Sequence, residues 1–92
     1  MLSETIFHTL KDGRKVKFSI LEVITDEEIK YYARVIDTEL DIYKKLSKED
    51  KQLTYGVDVE DGNGQIVYYK GKNALINDLR NEYGIKRLIS KI

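Results

Sequence analysis

A two-layer α+β domain is the fold class this sequence predicts: an antiparallel sheet of about four strands with two main helices, in ββαββα order. Three observations predict it. Runs of β-branched and aromatic residues flank the Asp-Gly pair at Asp12-Gly13. A second set of alternating residues flanks the turn Asp61-Gly62-Asn63-Gly64. After each of these hairpins the apolar spacing changes to the three-and-four rhythm of a helix.

The first hairpin reads "ETIFHTL", then "KDG", then "RKVKFSILEVI". Val16, Phe18 and Ile20 alternate with Lys15, Lys17 and Ser19, the period of a half-buried strand. Gly13 supplies the positive φ that a tight turn needs. From Leu21 to Ile24 the strand is apolar on both faces except at Glu22, which predicts that this end is covered. Residues 25–50 follow as "TDEEIKYYARVIDTELDIYKKLSKED". Thr25 and Glu28 fit a capping box, with acids in the turn that a helix dipole favours. Ile29, Tyr32, Ile36, Leu40, Tyr43 and Leu46 then form one apolar stripe, predicting a long helix. The competing reading is a strand at "YYARVI", whose residues have high β propensity. Ser47 and Asp50 offer a short second start. Val57 and Val59, then Ile66 and Tyr68, form the arms of the second hairpin around "DGNG". The second helix is "NALINDLRNEYG", with Leu75, Ile76, Leu79 and Tyr83 as its apolar face. Asn73 is its expected N-cap and Gly84 its expected C′ residue.

Ninety-two residues suit one globular domain, expected over 1–92, with a single small core. There is no cysteine and thus no disulfide or thiolate metal ligand. No basic-then-apolar leader or long apolar run is present, and a cytoplasmic location is the expectation. Acids and bases cancel at 16 each, but unevenly: the middle of the chain is acidic and the stretch after Asp61 is basic. The absence of proline and tryptophan, with abundant Ile, Lys, Asn and Tyr, is the usage of AT-rich genomes. With the small size, it makes a phage or mobile-element accessory protein the expected origin.

The segment from Asp61 to Arg87 combines glycines, adjacent tyrosines and lysines. It lacks the Lys-Ser/Thr step of a Walker loop and the third glycine of a dinucleotide fingerprint. Read as a calcium loop from Asp58 or Asp61, it has no glycine at the sixth position and no glutamate at the twelfth. A hairpin turn accounts for it better. Enzymatic constellations are equally thin. His8 is the only histidine, and no serine lies in a G-x-S-x-G elbow. Asp37 and Asp41 fit a solvated face beside Arg34 and Lys45. The chain is therefore expected to be non-catalytic and to take no cofactor or metal.

Two surface readings stand beyond that. Tyrosine is enriched, and Tyr31, Tyr32, Tyr68 and Tyr69 are the candidate protein-binding residues, because tyrosine is large, stiff and amphipathic. One tyrosine of each adjacent pair is expected to face the core and the other the surface. The expected partner is another protein or a second copy of the chain. The alternative is a nucleic-acid-binding surface over 68–91, with Lys70, Lys72, Arg80, Lys86, Arg87 and Lys91 as phosphate contacts and tyrosine as stacking platform. No membrane partner is expected. An acidic surface for a basic protein, drawn from Asp37, Glu39, Asp41, Glu49, Asp50, Asp58, Glu60 and Asp61, is weaker, since lysines interleave with these acids.

Overall fold

The structure is a computed structural model and describes residues 1–52 and 56–82. Four antiparallel strands form one sheet in the order of the chain: β1 (Leu2–Thr9), β2 (Lys15–Ile24), β3 (Ile29–Asp37) and β4 (Val57–Asp58). Two helices are present among the described residues, the one-turn α1 (Asp41–Lys44) and the longer α2 (Lys72–Asn81), with a short 3-10 turn at Asp50–Gln52. An α+β domain with an antiparallel sheet is thus what the chain forms, but the element order is βββαβα, not ββαββα.

The first hairpin turns as expected. Gly13 donates to the Leu10 carbonyl and Leu10 to that of Arg14, with Gly13 at φ +92°. Asp12 accepts from the Arg14 backbone N–H and from its guanidinium, which holds the Asp12 carboxyl below its ordinary range.

The long helix expected after Thr25 is replaced by β3. The Thr25–Glu28 spacing closes a hairpin instead of capping a helix. Thr25 donates its N–H to the Glu28 carbonyl, and its Oγ1 accepts from the Glu28 N–H at 3.2 Å. A cap and a four-residue turn use the same atoms at the same spacing, so local sequence does not separate them. What decides is β2. Nine of its ten residues, Val16 to Ile24, stand opposite residues of β3, and a helix there would leave that edge unpaired. The β-branched and aromatic residues of "IKYYARVI" suit the pairing. Only the last part of the expected stripe is helical, as α1, where Tyr43 is buried.

β2 is buried on both faces from Val16 to Leu21, and its tip at Ile24 is exposed. The covered stretch therefore lies earlier than the Leu21 to Ile24 run. On one face Val16, Phe18 and Ile20 join Ile6, Leu10, Ala33, Val35 and Val59 beneath Leu75 and Leu79 of α2. On the other, Lys17 is only 1% exposed. Its ammonium donates to the Lys51 carbonyl at 2.5 Å and lies over the Tyr43 ring, pinning the 3-10 turn and α1 to the sheet. Burial holds this lysine below its ordinary pKa.

The second hairpin exists in irregular form. Val57 and Asp58 pair with Val35 and Arg34, and Val59 donates to the Ala33 carbonyl. Continued straight, Asp61 would oppose Tyr31; Tyr69 stands there instead, eight residues later. Residues 60–68 form a side loop that leaves the edge of β3 and returns to it. It is closed by the Glu60–Ile66 bridge and by Asp61, whose Oδ1 accepts from Asn63 and Gln65.

α2 carries the expected apolar face at Leu75 and Leu79, which are buried, and at Ile76, packed against the core; Tyr83, expected on the same face, lies outside the described residues. Its cap is Gly71, without a side-chain bond, and not Asn73, which lies inside the helix. Its end falls at Glu82, in the left-handed region at φ 56°, before Gly84, which lies outside the described residues. Glu82 is buried because its Oε2 accepts from the Lys11 backbone N–H, tying α2 to the first turn. At the other end of α2, Lys72 pairs with Glu4 at 3.7 Å.

Candidate functional site

The four tyrosines named from sequence meet along the β3 edge. In a strand, neighbouring residues face opposite ways, and the tyrosines sort accordingly. Tyr31 and Tyr69 exchange backbone hydrogen bonds at 2.8 Å in each direction and pack against the core. The Tyr69 hydroxyl donates to Asp78 of α2 at 2.5 Å, locking the returning segment to the helix. Tyr32 and Tyr68 lie outward, with ring centroids 5.6 Å apart in an edge-to-face contact. Tyr68 is 50% exposed.

Two cations frame this outward pair. The Lys30 ammonium lies over the Tyr68 ring, 5.7 Å from its centroid, and the Arg34 guanidinium over Tyr32 at 6.0 Å. Each also has an acid: Lys30 with Glu28 at 3.2 Å, Arg34 with Asp58 at 2.7 Å. The Asp58 bond raises Arg34 above its ordinary pKa. Lys30, Tyr32 and Arg34 share a face because they alternate along β3. The period-two signal is present in "KYYAR", overlaid by the helical spacing of Ile29, Tyr32 and Ile36. Leu21 stands opposite Tyr32 and Leu2 opposite Leu21, so an apolar row runs from the side loop across the sheet.

The basic residues behave differently. Lys70 and Arg80 are exposed, and Lys72 engages Glu4. Lys72 and Arg80 stand at opposite ends of α2. Lys86, Arg87 and Lys91 lie outside the described residues. Two acids of the middle region are used locally: Glu39 pairs with Lys44 at 3.0 Å, and the Asp37 Oδ1 accepts from the Glu39 N–H. His8 lies against Phe18, centroids 6.1 Å apart, and borders a 210 Å³ depression with Phe7, Thr9, Lys15, Val16 and Thr38. Among the described residues no three His, Asp or Glu side chains gather where a metal ion would bind, and no helix is long and apolar enough to cross a membrane.

Tyr69 gives the region a measurable alkaline limit. Burial, then the bond to Asp78, pushes its pKa up to about 12. An unfolded tyrosine titrates near 10. The raised value means the folded state favours the neutral phenol, so this contribution is complete below about pH 10 and is lost as pH rises towards 12. Tyr69→Phe is expected to lower stability by about 1–2 kcal/mol at neutral pH. Denaturant titrations from pH 9 to 12 should show a smaller loss for the variant than for the parent.

No protein-family model, curated protein or solved structure matches this chain.

Proposed function

We propose that this protein is a small non-catalytic binding module, an accessory or regulatory factor, that engages another protein through the outward Tyr32–Tyr68 face. One observation carries the reading: the cations beside the rings are matched by acids, Lys30 by Glu28 and Arg34 by Asp58. A surface for a polyanion needs uncompensated positive charge, because its affinity comes from neutralising phosphates. A surface for a protein gains most from aromatic rings and guanidinium held rigid at the centre of the contact. The edge-to-face pair supplies that rigidity, and Leu21, opposite Tyr32 and buried, backs it from within the sheet.

The experiment compares the two partner classes on one set of variants. Fluorescence anisotropy with single- and double-stranded DNA and RNA is expected to show no tight binding at moderate salt. Affinity capture followed by titration of the retained protein is expected to show at least about a tenfold loss for Tyr32→Ala/Tyr68→Ala, the scale of a central aromatic contact. Nucleic-acid binding that falls linearly in log–log with salt, and that ignores the tyrosine change while responding to Lys70→Ala/Arg80→Ala, would sink the proposal in favour of the basic surface.

A further inference from the structure

Among the described residues the two edges of the sheet are built differently. The β4 edge is two residues long and interrupted by the side loop. The β1 edge is eight residues long, with one irregularity, between Leu2 and Glu4 at its start. Natural edges are usually blunted by charged side chains, above all lysine, by proline, by a bulge in the strand or by a covering element. From Glu4 to Thr9 β1 has no lysine, proline or bulge, and its one acid, Glu4, stands at the start of the stretch. In its middle stands Phe7, 68% exposed.

The turn shows which backbone groups point outward. Leu10 donates to Arg14, so Leu10 belongs to a hydrogen-bonded pair of the hairpin. Bonded and non-bonded pairs alternate along an antiparallel ladder. With the register of Phe7 opposite Lys17 and His8 opposite Val16, Glu4, Ile6 and His8 bond inward to β2. Thr5, Phe7 and Thr9 direct their N–H and C=O groups away from the sheet.

We propose that this edge pairs with a second copy of the chain, β1 against β1 about a two-fold axis at Ile6. In that register Thr5 of each copy opposes Phe7 of the other, both with outward groups, and they exchange about four backbone hydrogen bonds. Glu4 opposes His8 twice, in the close non-bonded pairs, so the imidazole of one copy donates to a carboxylate of the other. Ile6 meets Ile6 and extends the core face, and the two Phe7 rings become diagonal neighbours on the opposite face, within aromatic reach. Centring the axis on Thr5 sets Glu4 against Ile6, and centring it on Phe7 sets Glu4 against Leu10. Of these three registers, the Ile6 register is the one that matches acid with imidazole. Among the described residues, α2 packs against β3 and joins β1 through Glu4 and the turn after it through Lys11, on the face of the sheet and not in the plane of the edge. The product is a continuous eight-stranded sheet with a Tyr32–Tyr68 face at each far end, a bivalent arrangement.

Sedimentation equilibrium across concentrations tests this. The parent chain is expected to dimerise with a dissociation constant in the micromolar range, the range of a small edge contact. Thr5→Pro keeps the fold, because the N–H it removes is not used inside the sheet, and is expected to weaken dimerisation at least about tenfold. Phe7→Lys, the edge residue of protected strands, is expected to do the same with an unchanged circular dichroism spectrum. His8→Glu, which sets carboxylate against carboxylate, is expected to weaken the dimer, and His8→Lys to leave it intact. A parent monomeric at several hundred micromolar overturns the proposal, as does a dimer indifferent to both Thr5→Pro and Phe7→Lys. A dimer broken by Thr5→Pro but equally strong in His8→Glu and His8→Lys overturns the Ile6 register.

Discussion

Phe18→Ala is expected to remove a large part of the protein's stability and to lower its melting temperature steeply. Phe18 is fully buried at 0% exposure, at the centre of β2, opposite Ile6 on one side and Val35 on the other. Leu75 and Leu79 belong to the same cluster. Removing a buried phenylalanine costs about 3–5 kcal/mol, the transfer of the ring plus the cavity left behind. Collapse into that cavity is restricted, because Phe18 lies in a strand paired on both sides. A domain of this length has roughly 5–14 kcal/mol of total stability, so one side chain accounts for a large part of it. The melting temperature should fall by about 15–30 °C, read by circular dichroism. Phe18→Leu, which keeps most of the volume, should lose less than half as much.

Gly56→Ala is the second large effect, and its cause is backbone geometry. Gly56 enters β4 at φ +131°, a region closed to ordinary side chains. A Cβ there would strike the Val35 carbonyl, whose carbon is 2.8 Å away. The conformation alone costs about 1–3 kcal/mol for a non-glycine residue. The clash adds to it, because the obstacle is main chain of a paired strand and has no rotamer to retreat into. Relief requires β4 to leave β3, which frees Val57 and Asp58 from their partners and unseats Val59 from the core. A loss of about 3 kcal/mol or more is expected. Hydrogen exchange should locate it: the Val59 amide, bonded to Ala33, should open early, while the β1–β2 amides stay protected.

The legibility of this fold in its sequence follows from where the deciding contacts lie. The first hairpin and the apolar face of α2 rest on contacts within a few residues, and the sequence displayed both. β3 is ambiguous in the sequence because Thr25 and Glu28 serve a turn as well as a cap, and because its apolar residues satisfy a helical period and a strand period together. The tie is broken by the unpaired edge of β2, a non-local fact. The end of α2 at Glu82, and not at Gly84, is hidden from the local sequence for a similar reason. Glu82 occupies a conformation that favours glycine because its side chain is held by Lys11, distant in sequence. At the candidate site, tyrosine enrichment named the rings and the adjacent pairs announced their division between core and surface. Lys30, Arg34 and Asp58 were missed, since their convergence depends on β3 being a strand and on Asp58 pairing beside it.

Strand order that follows chain order has a consequence for synthesis. β1 to β3 are adjacent in sequence and complete once Asp37 has been made, and their pairing needs nothing downstream. The helix that covers Phe18, Ile20 and Val35 begins only at Lys72, about 35 residues later. At translation rates of ~5–20 residues per second that interval lasts ~2–7 s. For those seconds a growing chain carries a formed sheet with one bare apolar face, long compared with the microseconds in which a hairpin closes. Neighbouring chains on one messenger pass through the same stage together. The speed at which the second half of the chain arrives therefore bears on the yield of native protein, alongside the stability of the finished molecule.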